Sequence, residues 1–260
     1  MRCGDICKVL EELSPVSFAE EWDNVGLLVG DRNRDVQRIL IAVDATEDVI
    51  EQAVNLHADM IITHHPMIFR GMKKVVEEDF IGRRVLRLAS EGIAYYAMHT
   101  NFDVMGMADA AADELKLSDS TVLTVTYEDD ISKEGIGRVG VLPEMMSLEQ
   151  CAEYVKDVFR VSEVRVYGDR GDLVKVAAVC PGSGKDSLED AIKAGADVFI
   201  TGDITHHVGI DAVARGLSVI DAGHYGVEKL FVNYMRDFLS REISGVTLYT
   251  AREQEPFWIV

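Results

Sequence analysis

Two stretches of the chain align without a gap: Ile50-Glu-Gln-Ala-Val-Asn-Leu-His-Ala-Asp-Met-Ile-Ile-Thr63 and Leu188-Glu-Asp-Ala-Ile-Lys-Ala-Gly-Ala-Asp-Val-Phe-Ile-Thr201. Each reads as an amphipathic helix, a turn through Ala-Asp, and an apolar strand that stops at threonine. Helices alternating with strands in this way constrain the chain to parallel strands joined by helical crossovers. Upstream, Ala178-Val179 matches Ala42-Val43; downstream, residues 217–221 occupy the place of residues 93–98. Any two helix–strand units share an amphipathic pattern, but the common Ala-Asp-x-x-Ile-Thr favours duplication.

The remaining periodicity fills in both halves. Helices are expected over 5–13 (stopped by Ser14-Pro15), 49–56 with Thr46 as a cap, 80–91, 107–115 and 148–159. Strands are expected over 38–43, 60–63, 93–98, 137–142, 163–167 and 217–221, and 22–30 reads as turn-rich. The expected fold class is α/β: two related α/β units with largely parallel or mixed sheets covered by helices. The expected division is 1–124 plus 215–260 as a first domain and 125–214 as a second.

The formal charge of −19, from 45 acidic residues against 26 Lys plus Arg, argues against broad contact with nucleic-acid backbones, which rests on lysine and arginine. The four cysteines, Cys3, Cys7, Cys151 and Cys180, form no CxxC pair and are read as reduced. The N-terminus has no long apolar core and no run of eighteen apolar residues occurs, so a cytoplasmic protein without a membrane span is expected.

Chemistry concentrates where strands end. Residues 60–63 run directly into His64-His65-Pro66, and the ends of α/β strands are where such folds place their sites. Two adjacent imidazoles there supply two ligands for one ion or one for each of two. Neighbours on a strand point in opposite directions, so one histidine per metal is the expected geometry. Three other strand ends offer partners. His99-Thr-Asn-Phe-Asp103 carries a carboxylate and either another imidazole ligand or a structural histidine. Thr201-Gly-Asp-Ile-Thr-His-His207 has Gly202-Asp203 where the first unit has His64-His65. Gly223-His-Tyr-Gly-Val-Glu228 puts His224 and Glu228 four residues apart, on one face of a helix. Asp44 either orients a ligand or caps the next helix, and His57 is expected to be exposed.

This thiolate-free donor set suits Zn, Mn, Fe or Co. His64, His65, Asp103, His224 and Glu228 supply about five to seven donor atoms, where two ions need roughly eight or more. Water, hydroxide or substrate would complete the shells, as in hydrolytic two-metal sites. Pro181-Gly-Ser-Gly-Lys-Asp186 fails as a P-loop, because Val179 stands at the first required glycine and Asp186 replaces the Ser or Thr. A plain turn is the expectation there.

Taken together, Trp22-Asp-Asn-Val-Gly-Leu, Ile62-Thr-His-His-Pro66, His99-Thr-Asn-Phe-Asp103, Thr201-Gly-Asp203, Gly223-His-Tyr-Gly-Val-Glu228 and Glu255-Pro-Phe257 resemble the Nif-three-like proteins, also described as GTP cyclohydrolase I type 2 homologues. The resemblance runs in order through the chain. It implies a two-domain α/β subunit, a homohexameric ring and a dinuclear metal centre whose ligands fall on His64, His65, Asp103, His224 and Glu228. The second-unit motif reads Gly-Asp where many relatives have Gly-Glu, and the extra domain of longer relatives is absent.

The leading expectation is a metal-dependent hydrolase using a metal-bridging water, with Glu228 as bridging carboxylate and His206 or His207 as proton carrier. Its substrate would be a small molecule; under the cyclohydrolase label it would be a nucleotide, GTP, opened at the purine C8 with release of formate. The alternative is a metal-stabilised ring that engages a protein or nucleic-acid partner without turnover. Clustering of Lys73, Lys74, Arg83, Arg84 and Arg87 on one lining surface would favour a nucleotide or nucleic-acid partner.

Overall fold

Three buried and mainly apolar runs, β2 (Arg38–Ala42, buried from Ile39 on), β3 (Met60–Thr63) and β4 (Ala94–Ala97), lie side by side and parallel. Strands covered on both faces read as continuous apolar segments, and these do. The computed structural model describes residues 1–252 and 255–260, and the chain divides into two units: Met1–Phe102 with Phe231–Val260, and Asp103–Leu230.

In the first unit β1 (Gly26–Val29) joins β4 antiparallel and β11 (Thr247–Thr250) joins β2 parallel, giving the order β1-β4-β3-β2-β11. Leu40, Ala42, Ile61, Tyr95 and Ala97 pack on one face against Val49, Ile50 and Ala53 of α2 (Glu47–Asn55) and Leu88 of α3 (Phe80–Glu91). Thr46 caps α2 as expected, its hydroxyl accepting from the Val49 N–H at 3.2 Å. The unit also holds α1 (Cys3–Leu13), the single turn α4 (Thr100–Phe102) and nearly all of α10 (Leu230–Glu242).

The second unit opens with a π-helical turn, Asp103–Met107, and α5 (Ala108–Glu114). Its six-stranded sheet has the order β5-β6-β8-β9-β10-β7, from β5 (Ser118–Glu128), β6 (Lys133–Ser147), β7 (Arg165–Tyr167), β8 (Leu173–Ser183), β9 (Val198–Gly202) and β10 (Ser218–Asp221). Val179, Ile200 and Ile220 face α5 and α6 (Leu148–Phe159). Ala178, Phe199 and Val219, one residue away on each strand, face α7 (Leu188–Lys193) and α8 (His206–Ala214). The short α9 (His224–Glu228) follows β10.

The duplication extends beyond the aligned segments. β7-β10-β9-β8 repeats β1-β4-β3-β2, with the antiparallel edge strand in the same place. The shared aspartate does the same work twice. Asp59 accepts from the Gln37 and Arg38 N–H groups at 2.8 and 3.0 Å; Asp197 accepts from Lys175 and Val176, both at 2.8 Å. Each clips the start of one parallel strand to the start of its neighbour.

The division differs from the expected 1–124 plus 215–260 against 125–214. β10 hydrogen-bonds to β9 and β7, and β5 to β6, so backbone pairing commits 118–128 and 218–221 to the second sheet. β1 lies in the segment read as turn-rich: Gly26 and Gly30, both at positive φ, bracket it, and Gly30 lies so close to Ala94 that a Cβ would sit 2.9 Å from its Cα. The aspartate clip sets a test. Asp197→Ala leaves two strand N–H groups without their acceptor and is expected to lower stability by about 1–3 kcal/mol. A urea denaturation with unchanged midpoint would show that the clip is not needed.

Candidate functional site

At the end of β3 the chain turns, and two hydroxyls hold it there. Thr63 and Tyr95 both donate to the His65 carbonyl at 2.8 Å, and the Met67 N–H donates to the Tyr95 hydroxyl at 2.8 Å. Burial pushes the Tyr95 phenol well above its usual range, so it stays a neutral strut. Strand geometry ends at Thr63, and the alternation that would send neighbouring side chains apart ends with it. The His64 and His65 rings therefore lie 4.9 Å apart, and with His99 they bring three ligand atoms within 4.8 Å of one another. This corrects the expectation of opposed directions.

Each imidazole is oriented through Nδ1. His64, fully buried, faces the Met98 carbonyl at 2.8 Å; a carbonyl only accepts, so Nδ1 carries the proton and Nε2 the lone pair. His65 Nδ1 meets the Asp44 carboxylate at 3.0 Å, which resolves the two readings of Asp44 in favour of orienting the ring. His99 Nδ1 meets Asp23 at 3.0 Å. Oxygen acceptors behind imidazoles are the usual backing of metal-ligating histidines: they set the tautomer and raise the basicity of the other nitrogen.

Asp23, as the partner of His99, was the piece least visible in the sequence, since 76 residues separate the two. The signal was present in Trp22-Asp-Asn and His99-Thr-Asn, two polar triplets at strand margins. Asp23 also accepts from the Thr100 N–H at 3.0 Å and the Thr100 hydroxyl at 2.5 Å. Burial works to raise its carboxyl, but the bonds from His99 and Thr100 outweigh it and hold the group at about 2.

In the second unit the equivalent strand end is Thr201-Gly202-Asp203. Gly202 stands where His64 does, and it has no room for a side chain: a Cβ would lie 2.5 Å from the His224 backbone nitrogen. Asp203, at positive φ, accepts from His224 Nδ1 at 2.8 Å, which gives this residue a role the sequence left open. Asp221 shapes the turn into α9 by accepting from the Ile204 and Gly223 N–H groups, both at 3.0 Å.

One turn of α9 puts His224 Nε2 3.1 Å from a carboxylate oxygen of Glu228, a residue only 3% exposed. With Nδ1 committed to Asp203, this pair holds together only through a second ring proton or a cation shared by nitrogen and oxygen. Donors of this kind fit a divalent ion. The segment 181–186, expected to be a plain turn, instead carries the end of β8 into a 3-10 turn (Gly184–Ser187) and closes one side: Gly182, at φ +71, lies so near that a Cβ would sit 2.4 Å from the Glu228 carboxylate. Thr201 fastens this segment, accepting from the Gly184 N–H at 2.9 Å and donating to the Gly182 carbonyl at 3.4 Å. Burial first, and then the charges of Asp103 and Glu228, push the Cys180 thiol up to about 12, so it stays protonated.

The structure thus gathers His64 and His65 with His99, and His224 with Glu228 and Asp203. His206 and His207 are exposed in the first turn of α8, their rings 5.3 Å apart; among the described residues neither hydrogen-bonds to His224 or Glu228.

Asp23 makes a pH test. Its folded carboxyl binds a proton less readily than an unfolded aspartate, which titrates near 4. The unfolded chain therefore takes up more protons on acidification, and the stability held by Asp23 is complete above about pH 5 and lost toward pH 2. Asp23→Asn is expected to flatten this part of the stability–pH curve, measured by denaturation midpoints. Parallel curves for variant and parent would remove the role assigned to Asp23.

The family described as Duf34/NIF3 (NGG1p interacting factor 3) matches residues 1–256. A protein of Clostridium acetobutylicum named GTP cyclohydrolase 1 type 2 homolog is 37% identical over 230 residues, 88% of this chain and 85% of the relative. One of the same name from Clostridium perfringens is 34% identical over 261 residues, 99% of each. Among solved structures, a Bacillus cereus protein related to NIF3 superposes with a TM-score of 0.91 at 25% identity, over 100% of this chain and 99% of that one. On sequence and on fold, this chain belongs to the Duf34/NIF3 family.

Proposed function

We propose that the chain is a metal-dependent hydrolase in which His64, His65, Asp103, His224 and Glu228 hold two divalent ions. One observation carries this reading: His64, His65 and His224 each have Nδ1 held by an oxygen acceptor, which leaves Nε2 as the ligating nitrogen. Bound divalent ions supply Lewis acidity and lower the pKa of water into the neutral range. The chain's own residues do the rest. Asp44, Asp203 and the Met98 carbonyl fix the rings, and the Gly182 loop limits what reaches Glu228. His206 or His207, exposed to solvent, is the proposed proton carrier. His99, backed by Asp23 in the same manner, is a further candidate ligand.

The relatives' name, GTP cyclohydrolase 1 type 2 homolog, puts GTP first among substrates to try. A homohexameric assembly and a cytoplasmic location belong to the same proposal. No helix among the described residues is long and apolar enough to cross a membrane.

The rival reading, a ring that engages a protein or nucleic-acid partner without turnover, loses for nucleic acid the support of three of the five cations that would serve it, Lys73 and Lys74 remaining exposed. Arg83 and Arg84 are paired with Glu47 at 3.2 and 3.0 Å, and Arg87 with Glu51 and Glu91 at 3.6 and 3.1 Å. These guanidiniums are already neutralised within the first unit, so α3 presents little free positive charge to a phosphate backbone.

Metal analysis and turnover test the proposal together. The purified protein is expected to retain divalent ions through dialysis and to hydrolyse a member of a panel of GTP, other nucleotides, phosphoesters and cyclic amides. Glu228→Ala is expected to lose both properties, and Asp203→Ala to weaken metal retention about 10–100-fold. A parent protein that holds no metal overturns the site; one that holds metal yet matches Glu228→Ala across the panel overturns the hydrolase. His206→Ala and His207→Ala test the proton carrier separately, through kcat at unchanged metal content.

A further inference from the structure

Trp22 and Phe69 are 57% and 47% exposed, and their rings meet at 5.6 Å with planes 49° apart. A single exposed aromatic needs no explanation, whereas a contiguous pair beside chemistry does. Both rings also touch His99, with centroids at 6.0 Å from Trp22 and 6.3 Å from Phe69. His99 in turn lies 5.3 Å from His64 and 5.5 Å from His65. The aromatic surface is thus continuous with the imidazole cluster.

The pair is held rigidly by polar bonds. Asp23, next to Trp22, is fixed by His99 and by two bonds from Thr100. On the other side, the Glu20 N–H donates to the Thr100 hydroxyl at 2.9 Å. The Asn24 side chain donates to the Ile68 carbonyl at 2.6 Å and so ties the loop of Trp22 to the loop of Phe69. These bonds fix the backbone on both sides of Trp22 and tie together the two segments that carry the rings, while the indole itself stays in solvent. Rigid aromatic surface binds planar partners at low entropic cost.

We infer that Trp22 and Phe69 form a stacking platform for a planar heteroaromatic ring, placing it beside His99. As the substrate's ring, this ligand rests on the hydrolase reading above; the stacking itself does not require metal or turnover. Cations for an anionic substituent are close in the chain. Arg70 follows Phe69 directly, and Lys73 and Lys74 lie on the same loop; all three are exposed and in no ion pair among the described residues. The ligand class is a planar heteroaromatic ring bearing a negative group.

The chain has two tryptophans, so Trp258→Phe leaves Trp22 as the sole indole reporter. In that background, titration of the full-length protein with adenosine monophosphate, in chelator and again with added zinc, is expected to quench Trp22 emission. Adenosine is expected to quench at higher concentration, and ribose phosphate, which has no ring, not at all. Calorimetry of Trp22→Ala is expected to show affinity for adenosine monophosphate reduced about tenfold to a hundredfold, with Trp22→Phe retaining most of it. Absence of quenching by both ring ligands, or equal affinity of Trp22→Ala and parent, overturns the platform. Loss of assembly mass in Trp22→Ala by light scattering also overturns it, since the indole would then be a contact between copies. Quenching in a protein that proves catalytically inert would leave the platform standing and remove only the hydrolase.

Discussion

A threonine hydroxyl at the end of a parallel strand fastens nearby backbone in both units: in the first the loop that follows it, in the second the end of the adjacent strand β8. Thr63 holds the His65 carbonyl, and Thr201 holds Gly182 and Gly184. Side chains on an extended strand diverge, so a cluster of ligands can form only after the strand has been stopped and the next residues bent back. The buried hydroxyls of Thr63, Tyr95 and Thr201 satisfy the backbone groups that bending exposes, at positions where water does not reach them. Remove that anchoring and the imidazoles lose their common focus, however well the sheet itself is packed.

Much of this was legible in the sequence because it was local. The Ala-Asp-x-x-Ile-Thr repeat could be read because Asp59 and Asp197 act within their own helix–strand unit. His224 and Glu228 were legible because helical spacing puts them on one face, and they are indeed 3.1 Å apart. What escaped was non-local. β1, β5 and β11 are edge strands or pair with an edge strand, where one face or one end is exposed and the apolar run is short or interrupted. The Asp23–His99 bond and the approach of Gly182 to Glu228 join segments dozens of residues apart, and no spacing rule predicts such meetings. The domain boundary was misread for the same reason, since strand pairing, rather than composition, assigns β10 to its sheet.

The acidity of the chain takes on a specific meaning around the histidines. Asp23, Asp44 and Asp203 all spend their charge on the Nδ1 side of an imidazole. A negative group in that position strengthens a ring as a metal ligand without occupying a coordination position. On α2 and α3, by contrast, Glu47 and Glu51 spend theirs on arginines, and the exposed ion pairs there contribute little to stability. A carboxylate therefore orients an imidazole in one place and merely neutralises a surface in another.

Gly202 has a consequence for the two halves. In the first unit the residue after the strand-end threonine is an imidazole; in the second the backbone of His224 occupies the space its Cβ would need. With α9 settled against that bare position, no side chain, an imidazole included, fits at residue 202 unless the helix retreats. The two halves are therefore not interchangeable at this point: an imidazole fits after Thr63, whereas after Thr201 the backbone of His224 excludes one.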